Sequence, residues 1–189
     1  MNFYYNGTDI YNDVSVNYCV HEMFAEKQAD TLVIRFNDTK GIWSKWQPAA
    51  GDTVRFKEGA SDTGKMFIHS MKPENGLFTI RAMSMPKTAK IRKSKSWEGV
   101  RFLQLANEFA GNHGLTFKNY GCEDQVYPYI KQDNEGDFSL FSRLCMLEGC
   151  QMLIFDGSLL AYNEHYIEQQ EPAGGLTVDE NGVFTYEDN

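Results

Sequence analysis

The chain has 189 residues, 42% hydrophobic and 14% aromatic, which is enough apolar material for one large core or two small ones and too much for a disordered polypeptide. A net charge of −8 argues against nucleic acid as the main partner, because a duplex binder must present a basic face to the phosphates. No apolar run approaches the roughly 18 residues of a membrane span, and MNFYYNGTDIYND lacks the positive and apolar stretches of a secretion signal, so folding in a cytoplasm is expected.

From Met1 to about Met85 the pattern has period two. Val14, Val16, Tyr18 and Val20 alternate with polar neighbours. Leu32, Ile34 and Phe36 do the same, as do Val54 and Phe56. Met66–Met71 and Leu77–Met83 are two further runs, joined by a loop containing Asn75-Gly76. Half-buried strands separated by turn residues predict a small β-barrel or sandwich over residues 1–86. Residues 43–52, WSKWQPAAGD, read as a loop because of Pro48 and Gly51.

After Pro86 the chain changes character. Residues 87–95, KTAKIRKSK, hold five positive side chains and no acidic one: a solvated connector, or a contact for an acidic partner through Lys90, Arg92 and Lys93. Ser96 is a good helix N-cap and predicts a helix running to about His113 before Gly114. Val100, Phe102, Leu103, Leu105, Ala106, Phe109 and Ala110 would cover its buried side. The stretch DFSLFSRLCMLEGCQMLIFDGSLLAY, residues 137–162, predicts a second helix, with Asp137 as its cap and Gly149 as its end. Phe138, Leu140, Phe141, Leu144, Cys145 and Leu147 fall on its apolar face. Two short apolar runs around Asp156-Gly157 then predict a hairpin. The fold class is therefore α+β, an N-terminal barrel or sandwich followed by an α/β module at 96–167 with two helices and a C-terminal hairpin. Residues 168–189 read as a linker (EQQEPAGG) and a strand–Asn-Gly–strand unit that is either docked or the first fragment of a further module.

Candidate chemistry is sparse. Asp9, Asp13, Glu22 and Glu26 are the carboxylates that a glycoside hydrolase pair would draw on, but they sit in turn and strand-end contexts that suit a solvated acidic surface. Cys19, Cys122, Cys145 and Cys150, and His21, His69, His113 and His165, have no paired spacing for zinc or a redox centre. GASDTGK, residues 59–65, has the glycines of a phosphate loop, but Met66 stands where Ser or Thr must follow Lys65. No enzyme, cofactor or metal is expected. Tyr4, Tyr5, Tyr11, Tyr127 and Tyr129 accompany Trp43 and Trp46 as aromatic candidates. The two tryptophans either pack on their own sheet or anchor an interface.

GDTVRFKEG, Gly64 leading into KMFIHSM, and LFTIRAMSMP resemble the first barrel of phage tail hub proteins. KSKSWEGVRFLQLANEFAGNHGLTF and the 137–162 signature resemble the segments that follow that barrel, so the likeness covers roughly residues 10–165. The family is the late control protein D group, the baseplate hubs of contractile tails and related injection systems. The resemblance implies a structural subunit of a virion tail or tail-like particle, assembled in the bacterial cytoplasm. It implies a trimer whose two tube-like barrels per chain meet a hexameric tail tube, with a spike protein on the other side. One barrel is present, and the sequence ends at FTYEDN where the second is expected to begin. The alternative is the non-catalytic, peptidoglycan-binding portion of a tail-associated cell-wall hydrolase.

Overall fold

The structure, a computed structural model, describes residues 1–24, 29–172, 174–178 and 184–188. Its first half is one antiparallel sheet built from β1 (Asn2–Tyr5), β2 (Thr8–Asp9), β3 (Ser15–Glu22), β4 (Thr31–Asn37), β5 (Thr53–Glu58), β6 (Ser61–Asp62), β7 (Met66–Glu74) and β8 (Leu77–Met83). The spatial order is β2-β1-β5-β7-β8-β4-β3, with β6 paired to β5. Period-two alternation decides the buried face: Leu32, Ile34 and Phe36 of β4 stand opposite Ala82, Ile80 and Phe78 of β8, and all six are core residues. Asn75 and Gly76 both take positive φ, the turn that lets β7 and β8 pair directly from Glu74 to Leu77. β7 therefore runs through Pro73 to Glu74, beyond the run ending at Met71 that the apolar pattern marks.

Of the barrel or sandwich expected for residues 1–86, a closed barrel is not what this topology forms. The sheet is open, and among the described residues no ladder joins β3 to β1 or β2. The segment from β2 to β3 meets the core through side chains instead, with Ile10, Tyr11 and Val14 packed on it. Residues 43–52 are not wholly a loop either. A one-turn helix, α1 (Ile42–Trp46), drops the Trp43 indole into the concave face, stacked on Phe78 at 5.4 Å and tilted against Phe36 at 4.5 Å.

The second half comprises β9 (Lys93–Arg101), α2 (Phe102–Asn112), β10 (Thr116–Tyr120), β11 (Val126–Glu135), α3 (Asp137–Leu147), β12 (Gln151–Phe155), β13 (Ser158–Tyr162) and the short α4 (Glu164–Glu168). β9 and β11 form an antiparallel ribbon. β10 lies parallel to β13, which pairs antiparallel with β12 across the Asp156-Gly157 turn. The helices cover this sheet through Phe102, Leu105, Phe109, Leu140, Phe141 and Leu144, each contributing roughly 1.5–3 kcal/mol of burial.

Two sequence expectations change here. Ser96 opens no helix, because residues 93–101 are drawn into a strand by β11; helix α2 begins at Phe102. Its first turn is capped from a distant loop, where Asp124 Oδ1 accepts from Leu103 N–H at 3.0 Å and the Gln125 carbonyl accepts from Phe102 N–H at 2.8 Å. Leu147, placed on the apolar face of the second helix, is 69% exposed, since the helix ends there and turns its last side chain to solvent. The ending itself follows the glycine rule. Gly149 takes φ 65°, Cys150 N–H reaches the Cys145 carbonyl at 2.8 Å, and Gly149 N–H that of Met146 at 3.4 Å.

A C-terminal pair, β14 (Gly174–Val178) and β15 (Phe184–Asp188), forms a separate two-stranded antiparallel sheet. The Asn181-Gly182 turn expected between them lies outside the described residues.

Candidate functional site

The two halves meet through strand alternation and one turn. Met66 and Ile68 of β7 point into the first core, so Phe67 between them points the other way and belongs to the second core with Ala89 and the helices. Nearby, the Asp156-Gly157 turn rests on the loop after β6. Asp156 Oδ1 accepts from Lys65 N–H at 2.9 Å. Gly64, at φ 63°, lies so close that a Cβ there would stand 3.1 Å from the Asp156 side chain and 3.2 Å from its backbone. The GASDTGK segment thus keeps its glycine for close approach, not for a phosphate.

Arg55 completes this junction. It forms a two-pronged pair with Asp62, Nε–Oδ1 2.7 Å and Nη2–Oδ2 2.6 Å, while Lys57 Nζ adds a contact at 2.8 Å. The Arg55 guanidinium, opposed by partial burial and helped by Lys57, holds the Asp62 carboxyl well below the usual carboxylate range. Beside it opens a groove of about 590 Å³ lined by Tyr4, Asn6, Arg55, Lys57, Lys65 and Asp156. Its charged lining consists of three basic side chains, Arg55, Lys57 and Lys65, and one carboxylate, Asp156.

A second polar cluster is centred on a buried carboxylate. Asp137, 1% exposed, accepts from Lys93 Nζ at 2.9 Å, Asn112 Nδ2 at 3.0 Å, Gln132 Nε2 at 2.9 Å and His113 Nε2 at 3.2 Å. His113 Nδ1 in turn accepts from the Thr88 hydroxyl at 2.9 Å, an assignment that follows from Nε2–H pointing at the carboxylate. Burial opposes the Asp137 charge, yet the bonds from Gln132, Lys93 and Asn112 prevail and its pKa is lowered. Burial also outweighs the attraction of Asp137 for a protonated His113, so that imidazole is shifted toward the neutral form. Asp137 is therefore the anchor of a network spanning the 86–91 segment, β9, α2, β11 and α3, and not a cap: Gly136 occupies the cap position, with no side-chain cap bond.

The residues singled out for an interface differ in exposure. Trp43 is 1% exposed and is a core residue. Trp46 is 43% exposed and lies edge-on to Trp43 at 5.4 Å. Lys93 is committed to Asp137, whereas Lys90 and Arg92 are exposed. Of the carboxylates, Asp9 accepts from Asn2 Nδ2 and from Tyr11 N–H, and these bonds lower its pKa, the wrong direction for a general acid. Glu22 accepts from the Thr31 hydroxyl, and Glu26 lies outside the described residues. Among the described residues no three His, Cys, Asp or Glu side chains form a metal-binding group, and no helix is long and apolar enough to cross a membrane. The buried Asp137 network had no sequence signal beyond Asp137 itself, because its members lie far apart in the chain.

No family model and no curated protein matches the sequence. The fold is similar to that of the 43 kDa tail protein of prophage MuSo2 from Shewanella oneidensis, with TM-score 0.62 and 13% identity over 85% of this chain and 53% of that one. It is similar to the Escherichia coli c3393 protein, described as a type VI secretion system component with structural similarity to T4 tail proteins gp27 and gp5 (TM-score 0.60, 14% identity, 86% and 49% covered). A third likeness is to prophage tail protein gp18 from Listeria monocytogenes, with TM-score 0.55 and 11% identity over 92% and 60%. The chain spans about half to three-fifths of the length of these proteins. At such identities what is shared is a phage-tail-like fold.

Proposed function

We propose that the chain is a non-enzymatic structural subunit of a phage tail or tail-like injection system, acting in the baseplate hub between tail tube and spike. The observation that supports this reading is the fold itself, shared over 85% or more of the chain with tail and secretion-system proteins from several bacteria. The late control protein D likeness narrows it to the hub and supplies the partners: further copies of the chain in a trimer, the tube protein and the spike protein. The open edge strand β3 suits such a role, because exposed strand edges invite pairing with a neighbouring chain. A ring contact would be head to tail and would close only at the right rotation.

The test is cross-linking mass spectrometry on tail particles purified from a producing strain. Cross-links from this chain to the tube protein and to a second copy of itself are expected. Absence of the chain from intact particles would overturn the reading. Co-sedimentation of the purified protein with peptidoglycan sacculi, without tube binding, would favour the cell-wall alternative.

A further inference from the structure

The Asp137 network has an end that reaches the surface. Thr88, on the 3₁₀ turn Lys87–Lys90, is exposed, while His113 and Asp137 behind it are buried. The three side chains form a relay, with Thr88 Oγ1 2.9 Å from His113 Nδ1 and His113 Nε2 3.2 Å from Asp137 Oδ2. Because the carboxylate takes the Nε2 proton, Nδ1 carries the lone pair and faces the hydroxyl. A hydroxyl within hydrogen-bond reach of a base, which a third group orients, is the arrangement that activates a weak nucleophile. Each part is held in place. The turn is closed by Ala89 N–H on the Pro86 carbonyl and Ile91 N–H on the Thr88 carbonyl, each at 3.0 Å, and buried Ala89 pins it to the second core. Against it lies Gly136, where a Cβ would stand 3.0 Å from the Ala89 carbonyl oxygen. His113 ends α2, its N–H bonded to the Ala110 carbonyl at 3.1 Å and its ring tilted on Phe138 with centroids 4.8 Å apart. Lys93, Asn112 and Gln132 hold both oxygens of Asp137.

We propose that Thr88 is an acyl-acceptor site, a surface hydroxyl that His113 activates toward activated carboxylic esters. In this step Thr88 Oγ1 attacks the ester carbonyl carbon while its proton passes to His113 Nδ1. The bond from that carbon to the leaving oxygen breaks, and the imidazolium returns the proton to the departing oxyanion. The bond formed is the Thr88 ester, and nothing is oxidised or reduced. Burial shifts His113 toward its neutral form, the one able to accept the proton. Lys87 and Lys90, exposed on the same turn, add positive potential where negative charge develops. Each chain takes up one acyl group, on the segment that joins the two halves. The modification requires no turnover, so it adds to the structural reading without depending on it.

The test incubates the full chain with p-nitrophenyl acetate at neutral pH and cleaves it after glutamate, which releases residues 75–98 as one peptide. Tandem mass spectrometry then places the acetyl groups, before and after hydroxylamine, which removes esters and leaves acetylated lysines. A hydroxylamine-labile acetyl group on Thr88 is expected. It should form about 10²-fold faster than on Thr8 or Thr39, exposed hydroxyls with no hydrogen bond to a histidine among the described residues. Thr88→Ser should keep the reaction and Thr88→Ala should lose it. His113→Gln, which retains hydrogen-bonding groups but no base, should slow it about 10²-fold. Acetyl groups confined to lysines and the N-terminus would overturn the proposal, as would a Thr88 ester that forms no faster than those on Thr8 and Thr39. That comparison is made within the unmodified chain, so it decides the matter even where His113→Gln is unstable.

Discussion

At the scale of the residue, Asp137 has the most consequential position, since one carboxylate satisfies four donors from three other elements. Asp137→Ala would leave the buried Gln132 amide and His113 N–H without their acceptor and Lys93 without its counter-ion, at an expected cost of about 3–5 kcal/mol in urea unfolding. A value under 1 kcal/mol would mean that solvent reaches the cluster. The pH dependence follows from the two directions of shift. His113 has a lowered pKa, so the folded state binds fewer protons than the unfolded one below about 6.5, and stability falls as pH drops through that value. Asp137 is also shifted down, so its contribution is present above about 4 and is lost in stronger acid. His69, lowered by burial with help from Lys90 and Lys87 despite its bond to the Met85 carbonyl, adds to the upper window. Melting temperatures between pH 8 and pH 5 should therefore decline, less in His113→Gln and least when His69 is replaced as well. Unchanged slopes would refute the assignment. This cluster was illegible in the sequence for a simple reason: an aspartate ahead of an apolar helix reads as a cap, and its true donors come from positions as remote as Lys93.

At the scale of the element, legibility depended on whether the partner was local. β4 and β8 could be read from their own alternation, and the turns at Asn75-Gly76 and Asp156-Gly157 from two residues each. β9 could not, because Ser96-Trp97-Glu98 is locally a helix start and only pairing with β11 makes it a strand. The third helix gives a clean check of what was read correctly and what was not. Leu144→Ala, at a site with no exposure, should cost about 2–5 kcal/mol. Leu147→Ala, which the periodicity puts on the same face, should change stability by no more than about 0.5 kcal/mol. Equal losses would restore Leu147 to the core. Glycine substitutions test the junction in the same way. Gly59→Ala and Gly64→Ala share the positive φ, worth about 1–2 kcal/mol to any L side chain. Only position 64 adds the collision with Asp156, so Gly64→Ala should be measurably the worse of the two in thermal melts. Identical melts would show that the contact yields freely.

At the scale of the whole molecule, the two cores share a wall. Phe67 belongs by chain to the first sheet and by packing to the second core, and Ala89 with Met85 continues that boundary along the connecting segment. Calorimetry should accordingly show one cooperative transition, with calorimetric and van't Hoff enthalpies in agreement. Two resolved peaks would show that the shared wall is too small to couple the halves. The basic segment 87–95, read as a connector or a docking strip, is divided: Ala89 is buried and Lys93 neutralises an internal carboxylate, while Lys90 and Arg92 face solvent.

The contact of Gly64 with Asp156 also limits how this sequence can be recombined. A side chain at position 64 would press on Asp156 at 3.1–3.2 Å, and position 156 must both accept the Lys65 amide and adopt φ 45°. Few residues other than Asn meet both demands at 156. Chimaeras that exchange residues 1–86 between distant relatives should thus yield soluble protein when the 61–65 loop and the 155–158 turn are inherited together. They should fail when one is replaced alone. A panel of such exchanges, scored by soluble expression, would reveal whether two stretches some ninety residues apart behave as a single heritable unit.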